Sequence, residues 1–260
     1  MRESSSPLAG LRRRIARIAA AGEPPGDGAW LASGHAGFDA ALGGGLAMGR
    51  VHEIFAADAL DAASAAAFAA LLALRGPGEA PVLWLRTADG ARREGHLYAP
   101  GLAELGGDPN RLLLVETRDA TALLAAANDA VRCLGSAAVV VESRGALAAL
   151  DLTAGRRLAL GARDAGTVLL LLRFAADPVP SVAETRWRLA AAPSRELEAQ
   201  APGAPAFDLE LLRWRAGPAG ARWRLEWNRD ERAFGDAALS GALLPLSSRR
   251  ASVAHRAAAA

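Results

Sequence analysis

The residues with the clearest chemical meaning lie at positions 56–63, between a short strand pattern and an alanine-rich helix pattern. A loop that grips nucleotide phosphates needs glycine, four further residues and then Gly-Lys-Ser/Thr. Its bare amides wrap the phosphates, the lysine neutralises them and the hydroxyl holds magnesium. Here the two glycine places hold Ala56 and Asp61, the lysine place Ala62 and the hydroxyl place Ala63. The sequence therefore predicts the architecture of a nucleotide site that does not hydrolyse nucleotide.

The charges around this position argue in the same direction. Asp58 and Asp61 place two carboxylates near the start of the predicted helix, where they suit a bare helix N-terminus but repel a triphosphate. The chain has 30 lysine and arginine residues together, and every one of them is arginine. No lysine can therefore serve as a phosphate ligand, a Schiff-base nucleophile or a general base in this chain.

Other catalytic and metal-binding chemistry finds no support in the sequence. The four histidines are scattered without metal-ligand spacing, at His35, His52, His96 and His255. No GxSxG or HExxH motif occurs. Cys133 is the single cysteine, which excludes a disulfide framework and a cysteine zinc site. We expect no metal, no cofactor and no enzymatic activity.

The candidate loop must be positioned by a strand before it and a helix after it. Residues 51–56 alternate apolar and polar side chains and predict the strand. Residues 60–74 are rich in alanine and leucine and predict the helix, with Asp58 as its N-cap. Ahead of the strand, the glycine run at 43–45 permits a tight turn. A strand, a loop and a helix N-terminus in this order form a natural anion site.

Strand and helix patterns continue to alternate along the chain. Strand patterns cover residues 81–86, 111–116, 137–142 and 167–174. Helix patterns cover residues 97–105, 120–133 and 147–162, and residues 87–95 are predicted to form a charged loop. Period-2 alternation covers residues 184–191, 207–215 and 221–228. These patterns predict an α/β fold with a mostly parallel central sheet flanked by helices and antiparallel strands at the C-terminal end.

The three late strand patterns each contain an Arg-Trp-Arg unit. Alternation places each tryptophan on the opposite face from its two arginines. One interpretation sends the tryptophans into the core and the arginines to solvent. The other makes the arginines a basic surface that contacts DNA phosphates or an acidic partner. This candidate basic surface comprises Arg186, Arg188, Arg213, Arg215, Arg222 and Arg224.

Three regions are expected along the chain: an arm and linker at residues 1–27, a core at 28–230 and a flexible tail at 231–260. Residues 8–21 predict a short basic amphipathic helix that packs either on its own domain or on a partner. Binding to DNA or to a membrane surface is a further alternative for this helix. The candidate partner-binding residues are Leu11, Arg12, Ile15 and Ile18.

The bulk composition restricts the setting in which the protein acts. The chain has 260 residues, 52% of them hydrophobic, which is enough for the core of one α/β domain. It contains no uninterrupted apolar run of about 18 residues and no stretch typical of a signal peptide. We therefore expect a cytoplasmic protein without a membrane role. The formal net charge of only +2 does not indicate general coating of nucleic acid.

The segment around the candidate loop resembles the core of the RecA recombinases. The resemblance is carried by Leu31, Ser33, Gly34, Phe38, Asp39, Ala41, Leu42, Gly43, Gly45, Leu46, Gly49, Arg50, Glu53 and Ile54. The missing phosphate-binding residues and the segments at 97–102 and 185–187 look most like the ImuA family. These are bacterial damage-inducible mutagenesis proteins related to the cell-division inhibitor SulA. The likeness extends over roughly residues 28–228, the scale of one domain.

This resemblance implies both a site and a role. In RecA-like folds a carboxylate at the position of Glu142 helps to order magnesium, and without a phosphate partner it becomes a relic or a hydrogen-bonding residue. The implied role is a non-catalytic adaptor in SOS-induced translesion DNA synthesis and mutagenesis. The implied partners are an ImuB-like inactive polymerase, an error-prone DnaE-type polymerase and RecA, with indirect DNA contact and self-association as an option. The alternatives are a SulA-like cell-division inhibitor and an ATP-dependent recombinase-type DNA-binding ATPase.

Overall fold

The computed structural model of the protein describes residues 29–237. The predicted arm at residues 1–27 and the part of the predicted tail beyond residue 237 lie outside the described residues. Within the described part, the last strand covers Ala233–Asp236 and pairs with the strand before it. The folded core therefore extends past the predicted boundary at residue 230, because this segment completes a hairpin.

Eleven strands are present in the described part of the chain. A short hairpin is formed by β1 (Trp30–Leu31) and β2 (Leu46–Ala47). The main sheet contains β3 (Val51–Ala56), β4 (Val82–Thr87), β5 (Leu112–Thr117), β6 (Ala138–Arg144), β7 (Val168–Phe174), β8 (Thr185–Ala192), β9 (Ala206–Trp214), β10 (Arg222–Asn228) and β11 (Ala233–Asp236). Its spatial order is β11-β10-β9-β8-β3-β7-β6-β4-β5.

The pairing directions divide this sheet into two parts. From β8 across β3, β7, β6 and β4 to β5, every neighbouring pair is parallel. From β8 across β9 and β10 to β11, every pair is antiparallel. The predicted mostly parallel sheet with antiparallel strands at its C-terminal end is confirmed.

Six α-helices surround the sheet in the described residues. They are α1 (Ala36–Ala41), α2 (Ala62–Leu74), α3 (Ala88–Glu94), α4 (Ala99–Glu104), α5 (Ala120–Ala130) and α6 (Leu152–Ala165). Short 3₁₀ turns cover Pro109–Arg111 and Glu198–Gln200. The strands and helices therefore alternate along most of the chain, as an α/β fold requires.

The core has one layer on each face of the sheet. On the first face, Phe68, Leu71 and Leu72 of α2 are buried against apolar residues of the central strands. On the second face, α5 and α6 pack through Leu123, Ala127 and Leu158. Helix α2 has no polar face along its last six residues because it lies at the centre of the first layer.

Three local predictions were wrong. The expected loop at residues 87–95 contains α3, because the Thr87 hydroxyl accepts the Gly90 N–H (3.0 Å) as an N-cap. The helix expected at residues 147–162 begins at Leu152, where the Asp151 carboxylate accepts the Ala154 N–H (2.7 Å). Asp58 does not cap α2, which begins three residues later than the cap prediction required.

Candidate functional site

The loop between β3 and α2 has the position of a phosphate-binding loop, but several of its amides donate to groups of the protein itself. The Ala57 N–H donates to the Leu189 carbonyl (2.7 Å) and extends the ladder between β3 and β8. The Asp58 N–H donates to the Asp61 carboxylate (3.3 Å), and the Leu60 N–H donates to the Asp58 carboxylate (2.7 Å). These amides are therefore engaged within the fold and do not form an open cradle for phosphate.

Asp61 closes the loop against the neighbouring strand. It stands at the N-cap position of α2 and is only 8% exposed, yet its side chain makes no capping bond. Instead, one carboxylate oxygen accepts the Ala191 N–H of β8 at 2.7 Å, while the other accepts the Asp58 N–H. A fixed negative charge thus lies at the helix N-terminus, where a nucleotide would place its own phosphates. The sequence showed the carboxylate but not its partner Ala191.

The other three loop positions supply no replacement ligand. Ala56 ends β3, Ala62 is buried in the first turn of α2 and Ala63 is exposed beside it. None of these methyl side chains can neutralise a phosphate or bind magnesium. The loop therefore lacks both the charge and the hydroxyl of a nucleotide-hydrolysing site.

Glu142 lies on β6, with β7 between it and the strand that leads into the loop. It is 6% exposed, and its Oε1 accepts the Trp84 indole N–H at 2.8 Å. Its Oε2 has no hydrogen-bond partner among the described residues and lies 3.7 Å from Nη1 of Arg86. Burial raises the pKa of the Glu142 carboxyl above its ordinary value. Glu142 is therefore a hydrogen-bonding residue at the strand end, one of the two predicted alternatives.

Trp84 and Arg86 are site residues that the sequence analysis did not single out. Arg86 is 2% exposed and donates to the Gly95 carbonyl (2.8 Å) and to Glu116 (3.2 Å), and it also contacts Nδ1 of His96 (2.8 Å). The available signal was a charged residue at the end of an otherwise apolar strand pattern, because a buried charge needs partners.

A cleft of about 270 Å³ opens at the carboxyl ends of β4, β5 and β6, with Glu142 in its lining. The arginines of its lining are paired with acidic residues. Arg93 lies 2.9 Å from Asp89, Arg118 lies 2.9 Å from Asp119, and Arg144 pairs with Glu94. With each arginine charge offset and Glu142 added, the cleft offers no excess positive charge for a polyphosphate. Among residues 29–237, no cluster of three or more histidine, cysteine or acidic side chains could hold a metal ion.

The Arg-Trp-Arg units place their tryptophans towards the core, as the first interpretation of the sequence predicts. Trp187 is 1% exposed and its ring centroid lies 5.2 Å from that of Phe38. Trp214 and Trp223 are partly buried against the same layer. The expectation that every arginine of these units faces solvent was wrong for Arg186, which is 8% exposed and donates to Glu53 at 2.9 Å.

The remaining arginines of the candidate basic surface divide into two groups. Arg188 and Arg222 bind Glu210 at 3.1 and 2.9 Å, and Arg224 binds Asp208 at 2.7 and 2.8 Å. The hydrogen bond from Arg222 lowers the pKa of the Glu210 carboxyl, so this acid stays charged beside the arginines. Their positive charge is therefore largely offset on the sheet face itself.

Arg213 and Arg215 form the second group and have carbonyl partners. Arg213 donates to the Ser181 carbonyl and Arg215 to the Val182 carbonyl, each at 3.2 Å. These bonds attach the C-terminal end of β9 and the residue after it to the segment before β8. They orient both side chains without offsetting their charge.

Two further sequence predictions concern partners and membranes. The candidate partner-binding residues Leu11, Arg12, Ile15 and Ile18 lie outside the described residues. None of the helices within residues 29–237 is both long enough and apolar enough to cross a membrane.

Similar known proteins identify the family and the fold of this chain. No protein-family model matches the chain. Over 203 residues it is 37% identical to Protein ImuA of Caulobacter vibrioides strain NA1000 / CB15N, with 72% of each chain covered, and the same figures hold for Protein ImuA of strain ATCC 19089 / CIP 103742 / CB 15.

A solved structure, described as the crystal structure of the RadB recombinase, matches with a TM-score of 0.53 and 16% identity. The match covers 80% of this chain and 100% of that chain. At this identity the likeness shows the fold alone, and it confirms the RecA-like core. Since the similarity to Protein ImuA covers nearly three quarters of both chains, the chain belongs to the ImuA family.

Proposed function

We propose that the protein is a non-catalytic RecA-like adaptor in SOS-induced translesion DNA synthesis and mutagenesis in the bacterial cytoplasm. The observation that carries the proposal is the closed loop before α2, in which Asp61 binds the Ala191 N–H of β8. A site that fills its own phosphate position has no use for nucleotide, so assembly with partners would be independent of ATP. Family membership and the RecA-like fold support the same role.

The proposed partners are an ImuB-like inactive polymerase, an error-prone DnaE-type polymerase and RecA. A loop without the residues that bind phosphate leaves binding to other proteins as the role that this proposal assigns to the domain. Contact with DNA would be indirect, because Arg188, Arg222 and Arg224 are already paired with acidic residues of the same sheet face. The proposal also includes association of this chain with further copies of itself.

The first test is nucleotide binding by the full chain. We expect no ATP hydrolysis above a protein-free blank at ATP and magnesium concentrations up to about 1 mM, and no ATP binding at micromolar concentration. The matched variant carries Asp61→Gly, Ala62→Lys and Ala63→Thr, which restore the charge and hydroxyl of a phosphate loop. Binding of ATP by the unaltered chain at micromolar concentration, with hydrolysis above a protein-free blank, would refute the proposal.

The second test addresses the assembly. The full chain and a version starting at Gly28 are each mixed in separate runs with the ImuB-like partner, the DnaE-type polymerase and RecA. The mixtures are analysed by size-exclusion chromatography, with and without ATP. We expect a complex that does not depend on ATP. Loss of the complex in the shortened version would assign docking to the predicted helix at residues 8–21, and its retention would assign docking to the rest of the chain. Absence of any complex with all three proposed partners contradicts the adaptor role.

A further inference from the structure

A second cleft lies at the far end of α2 from the closed loop and contains three arginines. Its volume is about 340 Å³, and we call it the arginine cleft. It is lined by Leu71, Leu74, Arg75, Gly76, Gly78, Gly106, Gly107, Arg111, Trp227, Glu231 and Arg232. Because α2 has 13 residues, the two sites are separated by about 20 Å along the helix axis.

We propose that the arginine cleft binds a phosphate group through Arg75, Arg111 and Arg232. These three arginines lack a close ion-pair partner among the described residues. Within residues 29–237, none of the three forms an ion pair within 4.0 Å, whereas Arg188, Arg222 and Arg224 on the sheet face all do. Glu231 is the one acidic residue among the lining residues, which leaves an excess of two positive charges. Positive charge concentrated in a concave site attracts anions.

Two of the guanidinium groups are held in place by backbone carbonyls. Arg111 is 5% exposed and donates to the carbonyls of Ala80 (2.9 Å), Leu74 (2.7 Å) and Gly76 (3.2 Å). A guanidinium has five N–H donors, so these three carbonyls leave two N–H groups of Arg111 unused. Arg75 donates to the Ala32 carbonyl (2.9 Å) and to the Arg232 carbonyl and likewise keeps free donors. Groups fixed before binding lose little side-chain entropy when the ligand arrives.

Glycines let the backbone approach two of these side chains closely. A Cβ on Gly106 would lie 3.3 Å from Cγ of Arg232 and 2.8 Å from the Arg229 carbonyl oxygen. A Cβ on Gly34 would lie 3.0 Å from Nη2 of Arg75. Larger residues at these positions would therefore displace the arginine side chains or reduce the space around them.

The charges also act on one another. Burial lowers the pKa of Arg75 and of Arg111, and the charge of Arg232 lowers both further, whereas Asp39 raises the pKa of Arg75 and Asp108 and Glu79 raise that of Arg111. A bound oxyanion would relieve this repulsion. Phosphate fits better than a carboxylate because it brings up to two negative charges and more acceptor oxygens to three guanidinium groups. The source of the phosphate, free or within a nucleic-acid backbone, is a matter for the test.

The test is calorimetric titration of the full chain at pH 7 with sodium phosphate, against sodium chloride at equal ionic strength. We expect saturable one-to-one binding with a dissociation constant of roughly 1 mM or tighter. The double variant Arg75→Gln/Arg232→Gln should bind at least about tenfold more weakly. The matched control Arg222→Gln/Arg224→Gln removes the same charge from the sheet face and should bind like the unaltered chain.

Hydrogen exchange tests the same binding in the unaltered chain, without substitutions. Phosphate should slow hydrogen exchange in residues 105–111 and 229–232 of the unaltered chain, and circular dichroism should verify that both variants fold. Titration with a nucleoside monophosphate and with oligodeoxynucleotides of increasing length identifies the source. Affinity independent of length indicates a free phosphate, and affinity rising with length indicates a nucleic-acid backbone; both support phosphate recognition.

Three results would overturn the proposal. They are the absence of saturable phosphate binding by the unaltered chain, equal binding by the cleft variant and the unaltered chain, and preferential binding of an acidic peptide over phosphate. Because none of these measurements involves ATP hydrolysis or a polymerase partner, a negative result leaves the proposed adaptor role untouched. Affinity that rises with oligonucleotide length would make the DNA contact of that role direct.

Discussion

His52 lies at the centre of the sheet and links three elements through its ring. Its Nδ1 lies 2.7 Å from the Thr185 hydroxyl on β8, and its Nε2 lies 3.0 Å from the Ala47 carbonyl of β2. The Trp187 indole N–H donates to the same hydroxyl at 2.7 Å. A neutral ring satisfies this arrangement by donating to the carbonyl and accepting from the hydroxyl. Burial lowers the pKa of His52 to about 4 from its ordinary 6.5.

We expect this histidine to make stability depend on pH. Between pH 6.5 and about 4 the unfolded chain binds a proton that the folded chain does not. The stabilisation is therefore complete above pH 6.5 and falls as pH drops through this window, by on the order of 3 kcal/mol in total. Urea unfolding from pH 4 to 7 measures it, and His52→Gln should flatten the slope. Parallel pH profiles for the two proteins would contradict this account.

Glu142 changes stability with pH in the opposite direction to His52. The quantity to compare is therefore the difference in the free energy of unfolding between the unaltered chain and the His52→Gln variant. The folded-state pKa of its carboxyl is raised by burial. Its contribution is therefore present at low pH and is lost as pH rises through that raised pKa. Both proteins contain Glu142, and its effect cancels in the difference.

Asp61 is the residue whose removal should open the closed loop. Asp61→Ala removes the acceptor of the Ala191 and Asp58 amides, and we expect the free energy of unfolding to fall by about 2 kcal/mol, as for a hydrogen bond to a charged group. Asp164→Ala is the control, because Asp164 is exposed on α6 and should change stability by less than about 0.5 kcal/mol. Equal effects in the two variants would show that Asp61 does not hold the loop.

At the scale of elements, the glycine run before β3 permits a turn that other residues cannot make. Gly43, Gly44 and Gly45 have φ values of +77°, +138° and +128°. A Cβ on Gly44 would lie 2.6 Å from the Trp30 ring, and a Cβ on Gly45 would lie 2.5 Å from the Leu31 carbonyl oxygen. The run is therefore needed both for its backbone conformation and for the close approach of β1.

Gly45→Ala should accordingly disrupt the hairpin of β1 and β2. We expect a loss of about 3 kcal/mol in the free energy of unfolding, since backbone strain and a backbone clash add together. Gly235→Ala on β11 is the matched control, because its added Cβ meets open space. Chemical denaturation of both variants gives the comparison, and a mild effect at Gly45 would mean that the hairpin can shift at little cost.

Helix ends show the same dependence on particular partners. The Arg111 guanidinium donates to the carbonyls of Leu74 and Gly76 and so satisfies the C-terminal end of α2. A cation at this end is also favoured by the helix dipole. The N-terminal end of α2 instead carries Asp61. Both ends of this central helix are thus closed by charges of the favourable sign.

At the scale of the whole molecule, β8 joins the parallel and antiparallel parts of the sheet. It runs parallel to β3 and antiparallel to β9. The pair of Glu53 and Arg186 lies across the β3 and β8 junction, and Arg173 lies 3.9 Å from the same carboxylate. A buried ion pair contributes little net stability, but it disfavours any other register of the two strands.

This arrangement predicts a gradient of protection from the centre of the sheet to its edges. Amides of β3, β6 and β7 should exchange with deuterium only through global unfolding, because each strand is paired on both sides and buried. Amides of the edge strands β5 and β11 should exchange faster. Hydrogen-exchange mass spectrometry of the full chain measures this, and fast exchange in β3 would contradict a single cooperative sheet.

The sequence by itself determined the order of most elements and the absence of the glycine, lysine and hydroxyl residues of a phosphate-binding loop. Local periodicity is enough for the strands that became β3 to β10, since alternation and apolar runs reflect burial of the segment itself. The short strands β1, β2 and β11 and the helix α3 were missed, because two to four residues carry too little periodicity and α3 depends on its Thr87 cap. The absence of lysine needs no structure to interpret.

Tertiary structure alone decided which charges meet. The Asp61 carboxylate accepts the N–H of Ala191, which is 130 positions away in the sequence. Arg186 donates to Glu53, which is 133 positions away. Arg75, Arg111 and Arg232 converge only because the end of α2, the start of β5 and the turn before β11 lie side by side. A sequence pattern reports each residue's neighbours along the chain, whereas the energy of a charge depends on its neighbours in space.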